Sequence, residues 1–377
     1  MKLRCLQLTK FYPPYSGGIE TTVQYIANGL YDRGWSVDVL CSNTSNTTIH
    51  ERENISLIRT ASIAHIASTS LSPMLVYWLF VLQRKSDIIH VHLPNPMANL
   101  ALWLTRPKCK LILHWHSDIV KQKILLKIYR PLQTWLLNRS DSIIVTTENY
   151  AKSSIFLQPY LNKVSIVPSC TKDPLKLSTP LDRKFSAQTV KNRWPNKRII
   201  FALGRMTYYK GFDDLINAAS FLPDDVVILI GGTGELLNSN KELVKRLGLD
   251  HKVFFLGRIP DGELSGYFAA SYLFCLPSLV RAEAFGLVLV EAMAHSVPIV
   301  ATNIDGSGVP WVNQHGVSGL NATPGDVDSL VKCLLKLLNN PAFATQLGLR
   351  GRHRYESMFT LPTMIEKIIV LYSKILS

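Results

Sequence analysis

Short β-branched runs alternate along this chain with stretches whose apolar residues fall three or four apart. In the first half the strand-like runs are Lys2–Leu8, Ser36–Cys41, Ile55–Arg59, Asp87–His92, Lys110–His116, Ser142–Thr146 and Lys163–Val167, with a helix from about Gly18 to Arg33. Strand and helix in turn argue for a parallel, doubly wound α/β sheet. Residues 171 to 196 interrupt the rhythm with Pro174, Pro180, Pro195 and mixed polar residues, the composition of an interdomain connection. The alternation restarts with Arg198–Leu203, Val226–Ile230, Lys252–Leu256, Tyr272–Leu276 and Val297–Ala301. After Arg354, the residues Met364, Ile365, Ile368, Ile369, Tyr372 and Ile375 form one apolar helical face that must dock on something. The expected organisation is an α/β domain over 1–172, a linker over 173–196, a second α/β domain over 197–355, and a C-terminal helix over 356–377 returning towards the first domain.

A chain of 377 residues exceeds the size at which one core keeps growing, which agrees with two domains. The longest apolar run, Leu71 to Leu82, is too short to span a bilayer and reads as a core or interfacial helix. The N-terminus lacks the zones of a secretory signal, and the six cysteines include no CxxC pair. The expectation is a cytoplasmic protein with neither a disulfide framework nor a metal site.

Charge adds one element to this picture. Lys and Arg number 41 against 27 acidic residues, a net +14, and eight of the cations fall between Arg106 and Arg139 with Asp118 the sole acid among them. Such a stretch is either a solvated face or a surface for an anionic membrane or phosphate-bearing partner. Lys121, Lys123, Lys127 and Arg130, interleaved with Ile124, Leu125, Leu126 and Ile128, form an amphipathic pattern suited to anionic headgroups, although its apolar face would equally serve as core. No groove-reading or base-stacking module accompanies the cations, so nucleic acid is not an expected partner.

Ligands of doubly wound sheets bind beyond the carboxyl ends of the strands, and the run IIFALG leads there into RMTYYKGF. Arg205 and Lys210 fall in this loop, beside a helix start near Gly211 whose free N–H groups suit a diphosphate. Glu283 and Glu291 flank the apolar run AFGLVLV. On one helix, eight residues advance about 12 Å and about 80°, which places one carboxylate at the helix start and the other two turns inward. A buried carboxylate requires a partner, so Glu291 should meet ligand hydroxyls or a cation. A dehydrogenase is disfavoured because Gly231-Gly232-Thr233-Gly234 lacks the third glycine of a dinucleotide fingerprint. An epimerase or a phosphorylase of similar build stays open on fold alone.

The ordered set GGIE (17–20), HWHSD (114–118), GRMTYYKG (204–211) and EAFGLVLVE (283–291) resembles retaining glycosyltransferase family 4, with Val297–Ala301 and the Gly316–Gly319 turn in matching places. The resemblance implies a GT-B architecture of two Rossmann-like domains. It implies that Gly17 and Gly18 approach the donor diphosphate and that Arg205 and Lys210 neutralise it without a metal. Glu283 would bond the transferring sugar, the backbone of Phe285, Gly286 and Leu287 would hold sugar and phosphates, and Glu291 would take the ribose hydroxyls. Arg258 and Ile259, after Gly257, would face the nucleobase. His116, steadied by Asp118, would face the sugar through its side chain or its carbonyl. Where many relatives carry Pro-Glu, this chain has Pro310-Trp311, so a role resting on that acid is in doubt.

The resemblance runs most strongly to bacterial transferases of O-antigen and other surface-polysaccharide assembly. It implies GDP-mannose as co-substrate, a lipid-linked glycan as acceptor, and residence on the inner face of the plasma membrane. A UDP-sugar donor is the alternative within the family. From another class, the alternative is a non-enzymatic protein that binds anionic membranes.

Overall fold

The structure is a computed structural model that describes residues 2–15, 17–66, 69–118 and 123–377; the side chains of Ile66, Thr69 and 123–128 are also left undescribed. Most of the amphipathic basic segment from Lys121 to Ile128 therefore lies outside the described side chains. The chain forms two compact units, one comprising Met1–Ser169 with Leu361–Ser377 and the other Cys170–Thr360.

The first unit runs β1 (Arg4–Leu8), α1 (Gly18–Asp32), β2 (Ser36–Ser42), β3 (Ile49–Arg52), β4 (Ser56–Thr60), β5 (Ala64–Ile66), β6 (Thr69–Leu71), α2 (Pro73–Leu82), β7 (Ile88–Leu93), α3 (Pro96–Thr105), β8 (Lys110–Trp115), α4 (Lys123–Arg139), β9 (Ser142–Val145), α5 (Glu148–Ser153) and β10 (Val164–Ile166). Its main sheet has the order β10-β9-β8-β7-β1-β2-β4-β3, parallel except for β3. Only β3 and the small β5–β6 hairpin were not anticipated. β3 is exposed along its whole length and carries Glu51 and Arg52, so no alternation marks it as a strand.

The second unit runs α6 (Pro174–Leu177), α7 (Pro180–Asn192), β11 (Arg198–Leu203), α8 (Phe212–Ala219), β12 (Val226–Gly231), α9 (Leu237–Arg246), β13 (Val253–Gly257), α10 (Asp261–Ala270), β14 (Leu273–Leu276), α11 (Leu287–Ala294), β15 (Ile299–Thr302), α12 (Val309–Val312), β16 (Gly319–Ala322), α13 (Val327–Leu338) and α14 (Pro341–Met358). The helix α15 (Leu361–Leu376) belongs to the first unit, where Met364, Ile365, Ile368 and Tyr372 are buried.

The six strands of the second unit are all parallel, in the order β13-β12-β11-β14-β15-β16. Both faces of this sheet are covered: Ile200 and Ala202 point into one core with Phe212 and Leu215, while Ile199 and Phe201 point into the other with Phe274 and Met293. A strand buried on two faces reads as an unbroken apolar run, which is why five of these strands were legible and β16, with the sequence GLNA, was not.

Residues 171–196, expected as a connection, instead carry two helices. Pro180 stands in the first turn of α7, Thr179 and Asp182 close a reciprocal capping box there, and Val190 is buried against the second core. Of the prolines that suggested a linker, Pro174 and Pro180 start helices, and Pro195 lies in the turn between α7 and β11. Asp173 is held by Arg352 of α14 through two bonds of 2.8 Å.

Candidate functional site

The strand order of the second unit reverses between β11 and β14, and the loops leaving these two neighbours carry the predicted cations and carboxylates. Lys210, in the loop after β11, is buried, and its Nζ donates to Glu283 Oε2, in the loop after β14, at 2.5 Å. Ser278 Oγ donates to the same oxygen at 3.2 Å. Burial opposes the charge of Lys210, but the Glu283 carboxylate outweighs it and the ammonium pKa stands above its ordinary value. The pair bridges the crevice at the switch point. The Glu283 carbonyl accepts from Ser307 Oγ at 2.5 Å, and Ala284 O accepts from the Gly308 amide at 2.8 Å, so the 303–308 loop pins this backbone.

Arg205 lies five residues before Lys210 and is exposed, and its side chain makes no hydrogen bond or ion pair among the described residues. Its backbone is held from an unexpected quarter. The turn Gly231–Gly234, considered above only as a failed fingerprint, packs directly on it: Met206 N donates to Thr233 O at 2.9 Å and Leu236 N to Met206 O at 3.0 Å. Gly232 adopts φ 118°, and a Cβ there would lie 2.0 Å from the Gly204 carbonyl oxygen. We expect Gly232→Ala to cost about 1–3 kcal/mol in backbone strain alone and to displace the Arg205 loop. Chemical denaturation of this variant checks the figure, and a change within about 0.5 kcal/mol of zero would refute the bracing role.

Glu283 does not share a helix with Glu291, contrary to the spacing argument. The helix α11 starts at Leu287 because Gly286 takes a left-handed conformation (φ 78°, ψ 56°) that ends the loop, so the 12 Å advance does not apply. Phe285 is buried in the core and anchors the loop, while the α11 N-terminus has no side-chain cap to satisfy its first N–H groups. Glu291 lies on α11 with no hydrogen-bond or ionic partner for its carboxylate among the described residues. Burial, with the nearby charge of Asp261 adding, raises its pKa to about 7. The partner that a buried carboxylate requires is not supplied by the described residues.

Gly257 ends β13 and its carbonyl accepts from Gly232 N at 2.7 Å; Arg258 beyond it is exposed, and Ile259 rests against Gly231 and Leu203. Trp311 replaces the expected acid and is engaged structurally: the Arg354 guanidinium lies 5.1 Å from its ring and Phe359 packs edge-on at 5.8 Å.

In the first unit Gly17 precedes α1, and the Glu20 carboxylate folds back into the space a Gly17 side chain would need, whereas Gly18 faces open space. His116 ends β8, and burial lowers its pKa to about 3, so the ring is neutral. It is not steadied by Asp118. The Asp118 carboxylate accepts from Trp115 Nε1 and Ser154 Oγ, each at 2.8 Å, and the partner of His116 Nε2 is His92 Nδ1 at 3.0 Å. The sequence argument missed His90, His92 and His114, which with His116 form a stacked array; their alternation along β7 and β8 is the signal that could have revealed it. His90, His92 and His114 bring ring nitrogens within 4.8 Å of one another.

Two family descriptions match the chain: Glycosyltransferase Family 4 over residues 16–170 and Glycosyl transferases group 1 over residues 184–354. The O-antigen chain mannosyltransferase C of Escherichia coli is 32% identical over 99% of both chains. A D-rhamnosyltransferase of Pseudomonas aeruginosa is 30% identical over 78% of this chain and 75% of its own. Among solved structures, sucrose-phosphate synthase from Thermosynechococcus elongatus superposes with a TM-score of 0.79 at 21% identity, covering 99% of each chain. WaaG, a glycosyltransferase involved in lipopolysaccharide biosynthesis, superposes at 0.72 with 18% identity, over 98% of this chain and 99% of its own. These likenesses extend the two parallel-sheet units to a GT-B fold, and the chain belongs to glycosyltransferase family 4.

Proposed function

We propose that the protein transfers mannose from GDP-mannose to a lipid-linked glycan in O-antigen assembly, with retention of anomeric configuration. The observation that carries the donor site is the pairing of buried Lys210 with Glu283 across one topological switch point, beside an exposed Arg205 whose side chain has no partner among the described residues; Glu291, on the helix that follows, has none there for its carboxylate. Two cations suit a leaving diphosphate, and a carboxylate without a protein partner suits the paired hydroxyls of a ribose. Glu283, paired with Lys210, bonds the transferring sugar, and the uncapped backbone at the start of α11 completes the anion receptacle. Attack and departure occur on one face, the donor phosphate oxygen taking the acceptor's proton, and the cations make a metal unnecessary. Arg258 and Ile259 lie beside the base. The E. coli relative supports mannose as the sugar; a UDP-sugar is the alternative donor.

A lipid-linked acceptor places the enzyme at a membrane, on its cytoplasmic side. No helix among the described residues is long and apolar enough to cross one. The neighbouring helices α2 and α3 expose Met74, Tyr77, Phe80, Leu100, Trp103 and Leu104, with the Arg84 guanidinium 4.2 Å from the Phe80 ring and Arg106 5.4 Å from that of Trp103. Apolar and aromatic side chains rimmed by arginine suit an anionic interface, which supports peripheral attachment here.

Thermal melting with GDP, GDP-mannose, UDP and UDP-sugars, without added metal, tests the donor. A ligand at one hundred times its Kd adds about 2.7 kcal/mol of stability. We expect GDP and GDP-mannose to raise the melting temperature, and Arg205→Ala to abolish the rise while leaving the unliganded protein within about 0.5 kcal/mol of its original stability. Stabilisation by UDP compounds alone would shift the assignment to the alternative donor. No response to any nucleotide would overturn the site.

A further inference from the structure

Six polar side chains share one face of the first sheet, Cys5 and Gln7 on β1, His90 and His92 on β7, His114 on β8 and His116 at its end, an alternation that burial of an apolar face would forbid. They are joined in a single network, in which, of the fully buried atoms, only His114 Nε2 is left without a partner among the described residues. Gln7 Oε1 meets His92 Nε2 at 2.8 Å, and His92 Nδ1 meets His116 Nε2 at 3.0 Å. From the other end of its amide, Gln7 Nε2 donates to Cys5 Sγ at 3.2 Å and to the Tyr372 hydroxyl of α15 at 3.4 Å. That hydroxyl lies 2.6 Å from His90 Nδ1, and His90 Nε2 lies 3.2 Å from His114 Nδ1.

A neutral imidazole has one N–H and one lone pair, so each bond in this chain dictates the next. An amide oxygen can only accept. His92 therefore carries its proton on Nε2, its Nδ1 accepts, and His116 must carry its proton on Nε2. We propose that Gln7, acting through His92, sets the tautomer of His116 and leaves its Nδ1 as an unprotonated acceptor for a hydroxyl of the bound ligand. Gln7 and His92 are positioning residues. The inference rests on the donor-site reading for its consequence, but the tautomer itself does not depend on it.

The spacing of His90, His92 and His114 also admits a metal, yet the rings stack within 10–28° of parallel, so their in-plane lone pairs run alongside one another instead of converging.

The test is long-range proton–nitrogen NMR on histidine-labelled full-length protein, with His116 assigned by its loss in His116→Asn. The wild-type protein should show His116 protonated at Nε2 and bare at Nδ1. Gln7→Glu, which keeps an acceptor, should preserve that pattern, and Gln7→Leu, which removes it, should yield a mixture of both tautomers. A wild-type His116 protonated at Nδ1 would overturn the proposal, and because it needs no variant this result stands even if Gln7→Leu fails to fold. An unchanged pattern in folded Gln7→Leu, or stoichiometric Zn(II) uptake that shifts the rings of His90, His92 and His114 together, would also overturn it. If the tautomer is as stated but GDP-mannose and the UDP-sugars leave the His116 signals unmoved, the relay stands and the donor-site reading fails.

Discussion

Glu291→Gln should make the protein more stable at pH 8 and weaker at binding its donor. The Glu291 carboxyl has its pKa raised by burial to about 7. Unfolded, the same group loses its proton near its ordinary value of 4.5. Between these limits the folded state binds more protons than the unfolded one, so stability falls as pH rises through this window and the loss is complete above about pH 7. The full shift corresponds to about 3 kcal/mol, and partial contact with water reduces it to about 1–3 kcal/mol. An uncharged Gln avoids this cost, so the gain should be present at pH 8 and fade towards pH 5. A donor that supplies ribose hydroxyls repays the same cost in the native enzyme, and Gln, lacking the charge, should weaken nucleotide binding by about tenfold or more. Melting curves of both proteins across pH 5–8, with and without GDP, decide this. A variant no more stable at pH 8 than the original would show that Glu291 has a partner after all.

Lys210→Met should lower transfer activity by about 10²–10³-fold, as expected when a cation aimed at a leaving diphosphate is removed. It should also destabilise the protein by about 3–5 kcal/mol, because Glu283 is then a buried charge without its counterion. Adding Glu283→Gln removes the stranded charge. The double variant should therefore recover most of the stability and none of the activity, a coupling that a double-mutant cycle reads directly. If the double variant regained activity, the pair would be structural and the assignment of Lys210 to the diphosphate would be wrong. Loss of stability without recovery would point to repacking of the switch-point crevice.

How far these sites were legible depended on the range of the interactions that build them. Arg205, Lys210 and Glu283 were readable because loops at the carboxyl ends of buried parallel strands announce themselves by an apolar run ending in polar residues. The 2.5 Å pairing of Lys210 with Glu283 was not, since it joins residues 73 positions apart whose strands become neighbours only through the sheet order. The helical geometry assigned to Glu283 and Glu291 failed at Gly286, where a single left-handed residue outweighs an apolar run with good helical character. The same kind of override turned the proline-rich 171–196 segment into capped helices, because proline starts helices as readily as it breaks them.

Local pattern alone determined that this chain forms two doubly wound parallel sheets, where most of their strands lie, and that a loop carrying Arg205 and Lys210 follows β11. These follow from hydrophobic periodicity and turn chemistry, which act over a few residues. The tertiary structure alone decided that Gly231–Gly234 braces Arg205, that the Glu291 carboxylate has no partner among the described residues, and that His116 is oriented by His92 and Gln7 instead of Asp118. Each of these depends on contacts between distant strands and on which polar groups burial leaves to satisfy one another. That outcome is set by sheet order and packing, and residue spacing along the chain carries no record of it.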